Sequence, residues 1–171
     1  MKCVNMEELS VEIFLPFGFF ARLTDPESEY LGTAPVSFFR DMLQLNIGTS
    51  TTPSFSICKV EKRPLEITMY EYHSMTGEGI LPLDNDIAIH VVPATRSANH
   101  LPVDKTRVFR VPKGTMVILR PGVWHHAPFT LNAEPAHVLI VLPERTYAND
   151  CVVKKVDEGD TVVIESIGKD Q

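Results

Sequence analysis

Gly114-Thr-Met-Val-Ile-Leu-Arg-Pro-Gly-Val-Trp-His-His-Ala-Pro-Phe129 is the stretch on which the reading of this chain turns. Its first half, Met116 to Leu119, is apolar and β-prone. Pro121-Gly122 then imposes a tight turn, because proline presets φ and glycine accepts a positive one. Trp124, His125 and His126 follow at once. Successive side chains of a strand face opposite ways, so only one of the paired histidines can point into a barrel. Pro128 limits how far ladder bonding can continue. Strand, sharp turn and imidazole together hold one nitrogen rigidly over a cavity.

Working upstream, Met69-Tyr-Glu71-Tyr-His73-Ser-Met-Thr-Gly-Glu78-Gly-Ile-Leu-Pro82 supplies what such a site would need. Glu71 and His73 share a strand face. Glu78 follows a Thr76-Gly77 turn signal. With His125 arriving from a distant strand, Glu71, His73, Glu78 and His125 form a mixed oxygen and nitrogen donor set suited to Mn, Fe, Ni or Zn. Two carboxylates and two neutral imidazoles nearly neutralise a divalent ion. The same four groups could also work without metal as acid and base, one carboxyl raised by its neighbour. His126 is expected to face away, as a structural or interface residue. Trp124 reads as barrel packing or as a cavity rim that meets substrate. Tyr70 and Tyr72 lie opposite Glu71 and pack outward or against a second sheet. His90 sits in an apolar run, where a lone histidine is structural. His100 and His137 receive no role.

Bulk properties narrow the class. A chain of 171 residues fits one domain of roughly 100–200 residues. A net charge of −6 argues against nucleic acid or an anionic membrane as partner. No apolar run approaches the roughly 18 residues needed to span a bilayer. The first residues carry no secretory apolar region, and Cys3, Cys58 and Cys151 are odd in number and widely spaced. Free thiols and a cytoplasmic location are the expectation.

From Phe55 onward the pattern is β. Strands are expected at 55–60, 65–72, 79–81, 87–92, 106–111, 115–119, 137–142, 151–156 and 161–165. Turn signals such as Asp84-Asn-Asp and Asp157-Glu-Gly-Asp separate them. With no long amphipathic helix between them, they argue for an all-β sandwich or barrel. Residues 1–54 read as an N-terminal arm and docking segment on a barrel core of 55–165, within one domain of 1–171. Pro16 confines the segment of residues 1–20 to a docked arm or edge strand. Ala34 to Leu45 fits helix or strand equally.

Glu71-x-His73-x4-Glu78 resembles the first cupin motif, with Glu71 where a histidine is usual. Gly114…Pro121-Gly122-x-x-His125 resembles the second, with one extra residue inside it. More closely, the chain resembles the ureidoglycolate lyase family in Lys62-Arg-Pro-Leu, Leu81-Pro-Leu, Val108-Phe-Arg-Val-Pro-Lys-Gly, Gly122-Val-Trp-His-His and Asn149-Asp-Cys. The family usually has Gln at the position of Glu78, a departure that favours metal. The resemblance implies a single-domain cupin (double-stranded β-helix) barrel with little helix. It also implies a homodimer and a carbon–nitrogen lyase giving glyoxylate and urea from ureidoglycolate in purine breakdown. His73, Glu78 and His125 would be catalytic. Lys59, at a position where the family tends to be basic, would clamp a small carboxylate substrate, with Arg110 and Arg120 as alternatives. Another cupin chemistry on a sugar or small acid, or a non-catalytic binding cupin, stays open.

Overall fold

Burial of apolar side chains decides where most strands of this barrel go. The computed structural model describes residues 2–165. In chain order these form β1 (Lys2–Glu8), α1 (Val11–Phe14), β2 (Gly18–Arg22), β3 (Pro53–Val60), β4 (Glu66–Ile67), β5 (Met69–Tyr72) and β6 (Glu78–Pro82). There follow β7 (Ile87–Val91), β8 (Arg107–Val111), β9 (Thr115–Leu119), β10 (Phe129–Thr130), β11 (Ala136–Pro143), α2 (Thr146–Asn149), β12 (Val152–Lys155) and β13 (Val162–Glu165). Six strands lie in the order β10-β7-β8-β1-β13-β4 and five in the order β2-β9-β6-β11-β3, while β12 pairs with β5 as a ribbon. β1 runs parallel to both its neighbours, and the remaining ladders are antiparallel. This is the all-β barrel that the strand pattern implies, with little helix.

Two cores meet at β7, which is buried on both faces. Ile87, Ile89 and Val91 point into the core between the sheets, with Phe109, Val111, Val117, Leu119, Val138 and Ile140. Phe14 plugs one end, its ring edge-on to Phe109 at 5.1 Å. Each such side chain contributes about 1.5–3 kcal/mol on leaving water. Ala88 and Val92, on the other face, join a second core of Met6, Tyr70, Tyr72, Val108, Trp124, Val162 and Ile164. Tyr70 and Tyr72 thus fill an interior while Glu71, between them, faces the other way.

The N-terminal residues depart from the expected arm. β1 lies inside the six-stranded sheet, between β8 and β13. In its Lys-Cys-Val-Asn-Met-Glu-Glu the apolar alternation is only two residues long, Met6 buried and Val4 partly buried against the second core. Ladder bonds to two distant strands place it, a signal that composition does not show. β2 is an edge strand, as Pro16 requires. Residues 34–45 form neither regular helix nor ladder beyond the Leu31–Phe38 bridge. No helix among the described residues is long and apolar enough to cross a membrane.

Candidate metal centre

The Pro121-Gly122 turn is hooked onto the upstream motif. Gly122 has φ 83° and donates its N–H to the His73 carbonyl at 2.7 Å. A Cβ there would lie 3.0 Å from the Thr95 carbonyl oxygen, so glycine is needed for both conformation and space. Three residues beyond, His125 and Glu71 exchange backbone hydrogen bonds, His125 N–H reaching the Glu71 carbonyl at 3.0 Å. That bridge points both side chains to one face. Trp124 falls on the other face, opposite Val92.

Glu71, His73, Glu78 and His125 come together on the inner side. Nε2 of His125 lies 2.9 Å from Glu78 Oε2. Nε2 of His73 lies 3.2 Å from the same oxygen and 3.2 Å from Glu71 Oε1. The ring planes are tilted by 52°, with centroids 5.3 Å apart. The opposite nitrogens are already committed. His73 Nδ1 meets the Asp150 carbonyl at 2.5 Å, and His125 Nδ1 meets that of Val123 at 2.9 Å. A carbonyl only accepts, so both Nδ1 atoms carry hydrogen. In a neutral ring Nε2 is then a lone pair aimed at a carboxylate. The cluster needs positive charge at that point, either a proton on each ring or a cation shared among them.

Protons alone polarise the cluster strongly. Burial opposes charge on His73, but Glu71, Glu78 and the Asp150 carbonyl push its pKa up to about 10. Burial likewise opposes ionisation of Glu78, but His125 and His73 outweigh it and hold the carboxyl down at about 2. Glu71 moves down and His125 up for the same reasons, burial being overcome by the opposite charges. Yet His73 Nε2 is off line for a hydrogen bond to either carboxylate and is buried with no partner. An orphaned nitrogen between two carboxylates, its ring fixed through Nδ1, fits a metal ligand. Ligand atoms of His73, Glu78 and His125 all lie within 4.8 Å of one another. The residues present therefore fit a divalent ion.

Two proposed contacts fall elsewhere. Lys59 is on the outer face of β3, half exposed and paired with Glu61 at 3.3 Å, because inward-facing positions on that strand go to Cys58 and Val60. It does not reach the cluster. Trp124 is fully buried in the second core, and its Nε1–H donates to Thr95 Oγ1 at 3.0 Å and to the His100 carbonyl at 3.1 Å. No face of it is left for substrate. Arg110 pairs with Asp86 and Glu8 on the surface, and Arg120 lies over Phe19. His126 turns away beside Arg63, His90 and Phe129, and His137 pairs with Asp84 at 2.6 Å.

Other residues belong to the site although spacing alone did not single them out. Asp150 holds His73 through its carbonyl. Its carboxylate accepts from Ser74 N–H, Ser74 Oγ, Met75 N–H and Thr76 N–H, fixing the loop between β5 and β6. Cys151 Sγ lies 3.2 Å from Glu71 Oε1, and burial followed by that contact pushes its thiol up to about 12. Tyr147, in α2, stands 6.4 Å from His73 between ring centroids. Asn149-Asp-Cys in the family resemblance was the available signal. A cleft of about 320 Å³ is lined by Met75, Thr76, Arg145, Thr146 and Asp150, which flank His73 and Cys151 in sequence.

Comparison with known proteins gives the site a lineage. Ureidoglycolate lyases of two Burkholderia mallei strains are each 26% identical over 145 residues, covering 82% of this chain and 82% of the relative. Among solved structures, Bacillus subtilis oxalate decarboxylase, in a study of its Mn(II) centres, aligns with a TM-score of 0.43 at 17% identity. A mutant of that enzyme gives 0.42 at 17% identity. In both, the match covers 61% of this chain and 24% of the other, so the chain spans about a quarter of that enzyme's length. The model of the family described as ureidoglycolate lyase matches residues 1–164, and the chain belongs to that family.

Proposed function

We propose that this protein is a carbon–nitrogen lyase that converts ureidoglycolate to glyoxylate and urea. The observation that carries the reading is the convergence of His73 Nε2 and His125 Nε2 on one Glu78 oxygen, in a chain of this family. The substrate carries hydroxyl and ureido nitrogen on one carbon, so the chemistry is collapse of a carbinolamine. The His125–Glu78 pair takes the hydroxyl proton, the oxygen electrons form the carbonyl, and the C–N bond breaks toward nitrogen. The same proton, or one from His73, then neutralises the departing urea nitrogen, and no net proton is consumed. Glu71, His73, Glu78 and His125 would hold a divalent ion of the Mn, Ni, Fe or Zn class. Such an ion would supply Lewis-acid polarisation of a substrate oxygen. Glu71 keeps His73 in place, and the Asp150 carbonyl keeps hydrogen on Nδ1 so that Nε2 faces the site.

In this reading the substrate is a small carboxylate and the working form a cytoplasmic homodimer, with no nucleic-acid or membrane partner. Phe55 and Ile57, exposed on the outer face of β3, support a contact between copies. The test is urea release from ureidoglycolate by the purified protein with each metal supplied. Turnover that depends on His125 supports the assignment. No urea with any of the four metals moves the site to another small-acid or sugar substrate, for which Glu78 in place of the family's usual Gln is the specific argument.

A further inference from the structure

We propose that Cys151 is a further ligand of the ion held by this cluster, making the centre a mixed sulfur, nitrogen and oxygen site. The inference rests on the reading of the cluster as a metal centre. Ligand atoms of Glu71, His73 and Cys151 all lie within 4.8 Å of one another. Two donors on opposite sides of a transition ion sit roughly 4–4.6 Å apart, given bonds of about 2.0–2.3 Å. That bound is close to the span of one coordination sphere, so one ion can touch all three after a side-chain shift of a few tenths of an ångström.

The second, independent observation is His73. Its side chain is 2% exposed and its Nε2 has no hydrogen-bond partner. His73 also belongs to the set formed with Glu78 and His125, so it joins the two groups of donors. Cys151 Sγ and His73 Nε2 both lie 3.2 Å from Glu71 Oε1, the oxygen around which an ion would be shared. The sulfur is held there by its neighbour, since the carboxylate of Asp150 ties down residues 74–76 while its carbonyl holds the His73 ring.

Ligation breaks the S–H bond, forms a metal–sulfur bond and sends one proton to solvent. A thiolate also changes which ion the site prefers. Carboxylate and imidazole alone suit Mn²⁺; adding sulfur favours Zn²⁺, Co²⁺, Ni²⁺ or Fe²⁺.

The test uses the full chain, Co²⁺ as a spectroscopic probe and Zn²⁺ for affinity. Wild type with Co²⁺ should show a near-ultraviolet sulfur-to-cobalt charge-transfer band beside the visible ligand-field bands. Cys151→Ser should lose the charge-transfer band and keep Co²⁺. Its Zn²⁺ affinity should fall by at least about tenfold, the lower end of what even outer-sphere changes cost. Its Mn²⁺ affinity should fall less. Zn²⁺ should also shield Cys151 from a thiol reagent in wild type. Visible Co²⁺ bands without charge transfer would overturn the sulfur ligand and leave the four-residue centre standing. Failure to bind either Co²⁺ or Zn²⁺ would overturn both.

Discussion

His73 and His90 are imidazoles buried to the same degree, and the fold drives their charge in opposite directions. His90 sits in the second core beside Tyr70 and Phe129, its Nε2–H donating to the Met69 carbonyl at 3.1 Å. No carboxylate faces it among the described residues, and burial pushes its pKa down to about 3. His73, across the wall formed by β5, meets two carboxylates and is pushed up to about 10. Burial makes charge expensive; the partner decides whether it is present. The wall between them is thin: His125 and His126 are adjacent residues with opposite faces.

That contrast breaks first, and with the largest effect, at the paired histidines. His125→Ala should slow urea release by about 10²–10⁴, the usual cost of losing a proton-transfer group. His126→Ala, which empties the outer side, should cost far less. Equal losses at unchanged stability would mean that the two faces do not divide the work.

Next in size is the loss of the partner charge. In chelator, Glu78→Gln strands the imidazole charge of His73 and His125, and breaking a buried pair costs about 3–5 kcal/mol. Denaturant midpoints should show that loss, while His90→Gln, which keeps an N–H for the Met69 carbonyl, should lose much less. A neutral outcome for Glu78→Gln would mean that the rings are not charged in the native state.

A pH series sharpens the comparison further. The folded pKa of His73 is raised, so its stabilisation is complete below pH 6.5 and disappears as pH climbs toward about 10. The folded pKa of His90 is depressed, so the native state refuses a proton that the unfolded chain accepts, and stability rises with pH from about 3 to 6.5. Glu78 shares that sign, its contribution falling away from pH 4.5 down to about 2, so the His90 limb is read between pH 4.5 and 6.5. Each slope approaches about 1.4 kcal/mol per pH unit. With chelator present, His90→Gln should flatten the acid limb and Glu78→Gln the alkaline one. If each mutation flattened the other's limb, the assignments would be reversed.

The smallest effect belongs to Lys59→Ala. An exposed ion pair with Glu61 is worth little, so stability should stay within about 0.5 kcal/mol and urea release should not change. A large rise in KM would return Lys59 to the substrate.

Much of this architecture is legible in the chain because buried strands read as short apolar runs cut by turn residues. β7 and β9 are continuous apolar runs bounded by Asp84-Asn-Asp, Pro112-Lys-Gly and Pro121-Gly. Turn chemistry likewise placed His125 after a Pro-Gly, with Glu71 and His73 on one face. What spacing could not show was supplied by backbone. β1 has an apolar stripe of only Val4 and Met6 and is held by ladder bonds to residues a hundred or more positions away. Cys151 and Asp150 reach the cluster because β12 pairs with β5, so their nearness to Glu71 and His73 is a property of sheet register. Lys59 follows from the family's basic position alone, and strand parity turns it outward because Cys58 and Val60 take the inward positions.

The placement of β1 has a consequence for how the chain comes into being. Lys2 through Asn5 pair with Val162 through Glu165, so the earliest strand made waits for the latest described one. During synthesis the first half of β1 keeps an unpaired edge until β13 has emerged. Its second half can meanwhile dock on β8, beginning at Met6 opposite Val108. Such long-range closure slows folding. The strand that tolerates the wait is the one with lysine, asparagine and two glutamates, residues that keep a bare edge from recruiting another chain.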